Sequence, residues 1–213
     1  EKFNNALTTT GSSYVEIPFG PSPDEPEPAG GALRPGPRGI EFRFKTFGMP
    51  NVTTDARFSQ SLWNITSSNA GGIIDTMAVV LEYTGSAGTN SGSYSGSITS
   101  SYEEWGDVKF LAADSAGSMV SASVFGPYFD GGWHSVLVTT GSATQWNLEV
   151  KNKIYSGSDG TQLGFQSSSV VSVEENDWRH TGSLYLGGKG DNHVIGVNGK
   201  TYRTFSGSLQ EFR

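Results

Sequence analysis

The sequence predicts an all-β fold, a two-sheet antiparallel sandwich of the jelly-roll type. The first observation behind this prediction is composition, because 29 glycines and only 16% charged residues contrast with the Ala-, Leu-, Glu- and Lys-rich make-up of long amphipathic helices. The second is spacing, since about a dozen short segments rich in aromatic and β-branched residues follow one another between turn-forming residues. That pattern is typical of antiparallel sandwiches and jelly rolls.

Alternation of apolar and polar residues locates the strands. Residues 39–47 give the clearest signal, because apolar residues occupy every second position from Ile40 to Phe44 and charged residues lie between them. Residues 77–84 and 133–140 carry apolar groups on both faces, which predicts strands in the interior of a sheet. We expect the other strands at residues 14–17, 61–66, 108–111, 119–125, 170–173, 183–186 and 202–213, with a turn at residues 67–72. Residues 145–155 predict a hairpin that turns at Asn152 and has residues 153–155 as its second arm.

Two stretches interrupt the strand pattern of what we interpret as a single domain over residues 1–213. Residues 18–39 contain seven of the nine prolines. Because proline fixes φ and removes ladder donors, this stretch predicts either an extended surface loop or an arm that lies along a neighbouring subunit. Residues 85–101 consist of Gly, Ser, Thr and Asn with only Tyr94 and Ile98 as larger apolar residues, which predicts a long loop.

Composition excludes several classes of partner. The chain has no cysteine, so disulfides and thiolate metal sites are excluded. The net charge is −7 and the 14 Lys and Arg are scattered singly, which argues against nucleic-acid binding. No apolar run approaches the ~20 residues that a membrane-spanning helix needs, so the sequence predicts no membrane insertion.

Four motifs occur in a recognisable order. They are Gly11-Ser12-Ser13-Tyr14-Val15-Glu16-Ile17-Pro18, the alternating segment 40–46, Asp130-Gly131-Gly132-Trp133-His134-Ser135-Val136, and Phe205-Ser206-Gly207-Ser208-Leu209-Gln210-Glu211-Phe212-Arg213. The third is similar to an Asp-Gly-x-Trp-His-x-Val motif and the fourth to a closing Phe-Ser-Gly-x-Ile-Asp-Glu-Val-Arg strand. Together they resemble the laminin-G-like domains of the concanavalin A-like lectin/glucanase superfamily, and Leu184-Tyr185-Leu186-Gly187-Gly188 also stands in its usual place.

The resemblance implies a concanavalin A-like jelly roll that serves as a recognition module for sugars or proteins, often with calcium at the loop rim. Candidate oxygen ligands for calcium are Asp107, Asp130, Asp191 and Asn192. The alternative is that each of these residues only forms a turn. Gln210 stands where members of the family often have Asp, which weakens the case for any calcium that uses that position.

Aromatic residues beside loop-like sequence are the candidate ligand-binding residues, because an aromatic ring offers a sugar a flat apolar face. These residues are Tyr94, Tyr102, Trp105 and Trp178. In contrast, Trp63, Trp133 and Trp146 fall within predicted strands, and we expect them in the core. In the stretch 133–140 we expect Val136 and Val138 on one face and Trp133 and Leu137 on the other.

Catalysis is not predicted. Glycoside hydrolysis needs two carboxylates facing one another, and the acidic groups at residues 103–107 and 174–177 lack the alternate spacing that would place them on one strand face. The three histidines His134, His180 and His193 lie in separate segments, and His134 is most simply a strand residue.

The sequence therefore favours a non-catalytic recognition or adhesion module that binds glycan or protein on a cell or particle surface outside the cell. The alternative is a structural or decoration component of a virion, capsid or appendage, in which residues 18–39 make subunit contacts in a homo-oligomer or larger assembly. A glucanase-type glycosidase is the third hypothesis. Two glycosylation sequons begin at Asn51 and Asn64.

Overall fold

A computed structural model describes residues 7–9, 14–18, 39–47, 59–69, 72–83, 105–113, 119–142, 145–155, 161–171, 183–189, 193–195 and 200–213. Its strands, in chain order, are β1 (Leu7–Thr9), β2 (Val15–Pro18), β3 (Gly39–Thr46), β4 (Ser59–Asn69), β5 (Gly72–Tyr83), β6 (Gly106–Ala113), β7 (Met119–Gly126), β8 (His134–Ser142), β9 (Gln145–Tyr155), β10 (Thr161–Val171), β11 (Ser183–Leu186), β12 (His193–Ile195), β13 (Lys200–Thr204) and β14 (Gly207–Gln210). Within these ranges no helix is long and apolar enough to cross a membrane.

The described strands form two sheets. The six-stranded sheet has the order β1-β14-β3-β8-β9-β10. The eight-stranded sheet has the order β12-β13-β4-β5-β6-β7, with β11 and β2 added beside β4. All described pairings are antiparallel except that of β13 with β4. The predicted two-sheet antiparallel jelly-roll sandwich is therefore confirmed.

One edge of β4 is shared by two short strands. β13 pairs with its first part at Gln60 and Ser61, and β11 pairs with the part from Trp63 to Ile65. Between these two paired parts of β4, the N–H of Gly187 donates to the carbonyl of Leu62 at 2.8 Å. Gly187 has a φ of 83°, a left-handed conformation that favours glycine, so the Gly187-Gly188 pair lets β11 end there.

The core lies between the two sheets and consists of the apolar side chains at every second position of the strands. On β3 the apolar residues predicted to face inward, Ile40, Phe42 and Phe44, are buried, while the charged residues between them face outward. Trp63 and Trp146 are buried, as predicted. β5 is buried on both faces, because Met77, Val79 and Leu81 join the main core while Ala78 and Val80 pack with Tyr202 on the outer side. The prediction that β5 is an interior strand is confirmed.

The prediction for β8 is correct for the strand and wrong for one residue. β8 lies between β3 and β9, in the interior of its sheet. Trp133, however, is 39% exposed, whereas His134 is 1% exposed. Successive side chains of a strand point to opposite faces of the sheet. Since Val136 and Val138 face inward, His134 also faces inward and Trp133 lies on the outer face.

Several strand boundaries also differ from the sequence prediction. β9 continues through Asn152 to Tyr155 and pairs with β10 over its full length, so the turn predicted at Asn152 is wrong. β4 extends to Asn69 and β5 begins at Gly72, which shortens the predicted turn at residues 67–72. Cross-strand hydrogen bonds sustain these polar extensions despite their weak apolar alternation. Apart from the ends at Pro18 and Gly39, the predicted excursions at residues 18–39 and 85–101 lie outside the described residues.

Candidate functional site

The outer face of the six-stranded sheet carries ordered rows of polar side chains. The strand register sets residues of β3, β8 and β9 side by side, and their outward positions form one row with two carboxylates and one row with two cations. The first row is Glu41, Leu137 and Glu149, and the second is Arg43, Ser135 and Lys151.

A shallow groove runs over these rows. It is lined by Glu41, Ser135, Val136, Leu137, Glu149 and Lys151 and contains about 290 Å³ of space that opens to solvent. Closed small-molecule pockets surround most of their ligand, whereas this groove is open to solvent along one side.

Two ion pairs orient outward side chains of β3, one of them, Glu41, in the lining of the groove. The guanidinium of Arg213 donates to Oε2 of Glu41 through Nε and through NH2, each at 3.0 Å. Arg43 lies 3.2 Å from Glu211. Backbone hydrogen bonds of 2.8 and 2.9 Å between Glu41 and Arg213 hold the closing segment against β3. Exposed pairs such as these contribute little to stability, so their effect here is to orient the two side chains of β3.

Trp133 stands at the end of this face. Its indole ring is 39% exposed, and it precedes Ser135 by two residues, so both lie on the same side of the sheet. A tryptophan in this position offers a broad apolar surface and one N–H donor to a ligand. We call the outward side chains of this region the Trp133 face: Glu41, Arg43, Trp133, Ser135, Leu137, Glu149 and Lys151.

The turn before β8 explains why Trp133 points outward. Oδ1 of Asp130 accepts a hydrogen bond of 2.7 Å from the N–H of Gly132 and lies 3.0 Å from Nε2 of His134. The ring of His134 is buried, with centroids 5.2 Å from Phe44 and 5.3 Å from Tyr128. Because His134 is anchored inside, the adjacent residue must face the other way.

The electrostatics of this turn favour an ionised Asp130. Burial raises the pKa of Asp130, but the hydrogen bonds from His134 and from the backbone of Gly132 outweigh burial and leave the pKa below its ordinary value. Asp130 therefore acts as a fixed acceptor within the turn.

Calcium binding at the predicted ligands receives no support from the described residues. Oδ1 of Asp130 is already used by the turn. Asp107 is buried and lies opposite Glu82 in the register of β5 and β6. Among the residues that the structure describes, no three His, Asp or Glu side chains are grouped so that they could hold a metal ion. Asp191 and Asn192 lie outside the described residues, so a calcium site stays a prediction of the family resemblance.

Of the four predicted ligand-binding aromatics, Trp105 is the one the structure describes. It is 2% exposed and packs against Phe125 with ring centroids 5.1 Å apart. The prediction of an exposed ring is therefore wrong for Trp105, because a side chain two residues before Asp107 on the outer face of β6 packs against the neighbouring β7. Tyr94, Tyr102 and Trp178 lie outside the described residues.

The sequence did not reveal a polar cluster on the outer face of the eight-stranded sheet. Glu82 accepts a hydrogen bond of 2.7 Å from Lys109 at one carboxylate oxygen and one of 3.0 Å from the hydroxyl of Tyr202 at the other. Burial and the charge of Glu82 raise the pKa of Tyr202 far above its ordinary value. Both oxygens of Glu82 are thus occupied by the chain itself, which indicates a structural link between β5, β6 and β13.

One sequon is not accessible in the folded chain. Asn64 lies in the middle of β4 and is 0% exposed, so glycosylation there would require an unfolded segment. Asn51 lies outside the described residues.

Comparison with known proteins yields likenesses of fold. No protein-family model matches the chain, and no curated protein matches it at a significant level. Among solved structures the chain is similar to domains LG4-5 of the mouse laminin α1 chain, with 17% identity, a TM-score of 0.49, 98% of this chain covered and 40% of that chain. This chain thus spans well under half the length of the laminin structure. A laminin-G structure is therefore among those that this chain is similar to.

Two further similar structures are enzymes. One is an alginate lyase from Pseudomonas aeruginosa, with 11% identity, a TM-score of 0.40, 82% of this chain covered and 62% of that chain. Another is an alginate lyase from Alteromonas sp. 272, with 12% identity, a TM-score of 0.37, 82% of this chain covered and 69% of that chain. Likeness at these identities concerns the fold alone, and fold does not assign function.

Proposed function

We propose that this chain is a non-catalytic recognition module, displayed on a cell or particle surface, that binds a glycan chain across the Trp133 face. The observation that carries the proposal is an exposed tryptophan beside an open groove on a sheet face. Soluble domains bury most of their large aromatic side chains. An indole held outward by a buried His-Asp turn is therefore available to a ligand.

The lining of the groove supplies the other contacts that a sugar needs. Glu41 and Glu149 present acceptors for hydroxyl groups, Ser135 can both donate and accept, and Lys151 carries a donor. Leu137 lies between the two carboxylates and adds apolar surface. This mixture favours a polyhydroxylated chain over the largely apolar contact that forms the centre of most protein interfaces.

Substitution of Trp133 tests the proposal directly. We expect Trp133→Ala to weaken binding to a glycan array roughly 10- to 100-fold, because loss of a central aromatic anchor costs about 2 kcal/mol or more. Ile17→Ala serves as the control, since Ile17 is an apolar residue of the other sheet with the same exposure, 39%, as Trp133. Equal loss in both variants, or binding that survives Trp133→Ala, would contradict the proposed site. Binding of a protein in place of every glycan would overturn the ligand class.

One observation favours hydrolysis as a second candidate function. Glu41 and Glu149 lie in one row on either side of β8, so their backbones are roughly 10 Å apart by the spacing of two strands. Inverting glycosidases place their carboxyl groups at about 6.5 to 9.5 Å. A general acid, however, is normally made by burial that raises its pKa, whereas Glu41 is partly exposed and bound by Arg213.

Glu149→Gln separates binding from hydrolysis. If the face only binds, no glycan that the protein retains will release reducing ends, and Glu149→Gln will change affinity alone. Release of reducing ends by the unaltered protein, abolished by Glu149→Gln, would establish the hydrolytic alternative.

A further inference from the structure

A second cluster of polar and aromatic side chains lies on the opposite side of the sandwich. β2 pairs with β11 next to β4, in the eight-stranded sheet. The outward side chains there are Tyr14, Glu16, Ser183, Tyr185 and Lys189, which we call the Glu16 cluster. None of these residues belongs to the Trp133 face.

Glu16 is an exposed carboxylate that the chain holds in one position. Ser183 donates to Oε1 of Glu16 at 2.7 Å, and the hydroxyl of Tyr185 donates to the same oxygen at 3.0 Å. These two hydrogen bonds lower the pKa of Glu16, so the group stays ionised. Among the described residues, no hydrogen bond uses Oε2. The carboxylate is therefore oriented by the protein at an exposed position of β2.

The aromatic part of the cluster is also fixed. The ring of Tyr14 is 44% exposed and meets the ring of Tyr185 edge to face, with centroids 5.8 Å apart. Tyr185 is buried, so it supports Tyr14 from below. Tyr14 and Glu16 are two positions apart and face the same way, which places them roughly 6.5 to 7 Å apart along the strand.

A cation completes the cluster. Nζ of Lys189 lies 5.1 Å from the centroid of Tyr185, and its charge acts on Glu16. The cluster thus carries one negative and one positive group, and this balance disfavours a ligand with a net charge of either sign. A neutral ligand that offers both donors and acceptors can satisfy both groups at once.

We propose that the Glu16 cluster is a second binding site and takes a neutral saccharide ring with adjacent hydroxyl groups. The ring stacks on the exposed face of Tyr14, two hydroxyls donate to Glu16, and Lys189 donates to a ligand oxygen. Because the hydroxyls of Ser183 and Tyr185 already orient Glu16, a ligand that binds there has less conformational freedom of the protein to remove. This inference goes beyond the proposed function, because it concerns other residues on the other sheet.

Titration with three methyl glycosides, of glucose, galactose and mannose, tests the proposal. Amide chemical shifts of the full chain are followed by NMR up to roughly 50 mM of each sugar, because a single ring on an open site binds with millimolar affinity. We expect saturable shifts at Tyr14, Glu16, Ser183 and Lys189 with at least one glycoside. No saturable shift in these residues with any of the three would overturn the site.

Variants distinguish this site from the Trp133 face. Tyr14→Ala and Glu16→Gln should each weaken binding of the responding glycoside 10-fold or more, whereas Phe47→Ala should leave it unchanged. Phe47 is a suitable control because it is another exposed aromatic residue outside the cluster. Thermal unfolding confirms that each variant is folded. If only Trp133→Ala abolishes the response, the sugar binds at the Trp133 face and this proposal is wrong. If only Tyr14→Ala and Glu16→Gln abolish it, the second site is supported, whether or not the Trp133 face binds a glycan.

Discussion

Asp130 shows how one side chain determines which neighbour faces the solvent. Its carboxylate oxygen accepts from Gly132 and contacts the buried His134, and the ring of His134 packs against Phe44. With His134 inside, Trp133 must lie outside. The segment from Asp130 to Val136 therefore contributes His134 to the core and also places the ring of Trp133 on the surface.

Removing the acceptor should loosen this turn. We expect Asp130→Ala to lower the free energy of unfolding by about 1 to 3 kcal/mol, because it leaves the buried Nε2 of His134 without its partner. Asp130→Asn keeps an acceptor oxygen, so its free energy of unfolding should fall by less. Urea denaturation followed by tryptophan fluorescence measures both. An Asp130→Ala variant as stable as the parent would show that the turn does not depend on this carboxylate.

The same residue should give stability a dependence on acidity. The folded pKa of Asp130 lies below its ordinary value, which is about 3.9 for an unfolded chain. The folded state therefore binds fewer protons, so the contribution is present above about pH 4 and is lost as the pH falls through the folded pKa. Urea midpoints between pH 6 and pH 2.5 should fall less steeply for Asp130→Asn than for the parent. Identical slopes would contradict the assignment.

At the scale of elements, β14 depends on a close approach at its first residue. Gly207 pairs with Thr46 of β3, and a Cβ added there would collide with the carbonyl of Lys45 and the ring of Phe205. The backbone of β3 cannot move without disturbing the buried Phe44 next to it.

Gly207→Ala should therefore destabilise the fold by about 2 kcal/mol or more, in the range of overpacked core sites. Ser206→Ala is the matched control, since Ser206 is only half-buried. Thermal unfolding measures the difference. Equal melting temperatures for the two variants would show that β14 tolerates a side chain at this point.

A second link between elements is the phenol of Tyr202, which joins β13 to Glu82 of β5. Tyr202→Phe should cost about 1 to 3 kcal/mol, because it removes a hydrogen bond to a charged group. Since burial and Glu82 raise the folded pKa of Tyr202, the contribution is present below about pH 10 and is lost as the pH rises above the unfolded value. Urea denaturation at pH 7 and pH 10.5 checks both statements, with Tyr14→Phe as the exposed control. A Tyr202→Phe variant with an unchanged alkaline slope would refute the linkage.

At the scale of the whole molecule, the two proposed sites lie on the outward faces of two stacked sheets. Sheets pack about 10 Å apart, and residues so separated with no shared partners act independently. We expect the stability changes of Trp133→Ala and Tyr14→Ala to add within about 0.5 kcal/mol in the double variant. Non-additive stability changes, measured by urea denaturation, would indicate coupling through the core.

The sequence was sufficient for the fold class because period-two alternation directly determines which side chains can be buried together. Ile40, Phe42 and Phe44 illustrate this, since every second residue of β3 is apolar and each is buried. Boundaries were less predictable, as the polar end of β9 shows. Residues Asn152 to Tyr155 pair with β10, and their place in the ladder depends on a partner strand that the local pattern cannot reveal.

The sites were less predictable than the fold. Trp133 could have been found, because counting the alternation back from Val136 places His134 inward and Trp133 outward. The Glu16 cluster could not, since Glu16 binds Ser183 and Tyr185, which are 167 and 169 positions away in the chain. Trp105 was predicted at a loop and is buried against Phe125, because packing between β6 and β7 covers it.

By itself the sequence determined the sandwich, the inward faces of its strands and the order of its motifs, because these follow from local alternation and turn chemistry. Only the tertiary structure decided which strands are neighbours, and therefore which polar side chains meet. The physical reason is that antiparallel pairing brings together residues far apart in the chain, such as β2 with β11 and β3 with β8. The strand pairings therefore determine which polar side chains lie side by side on the surface of each sheet.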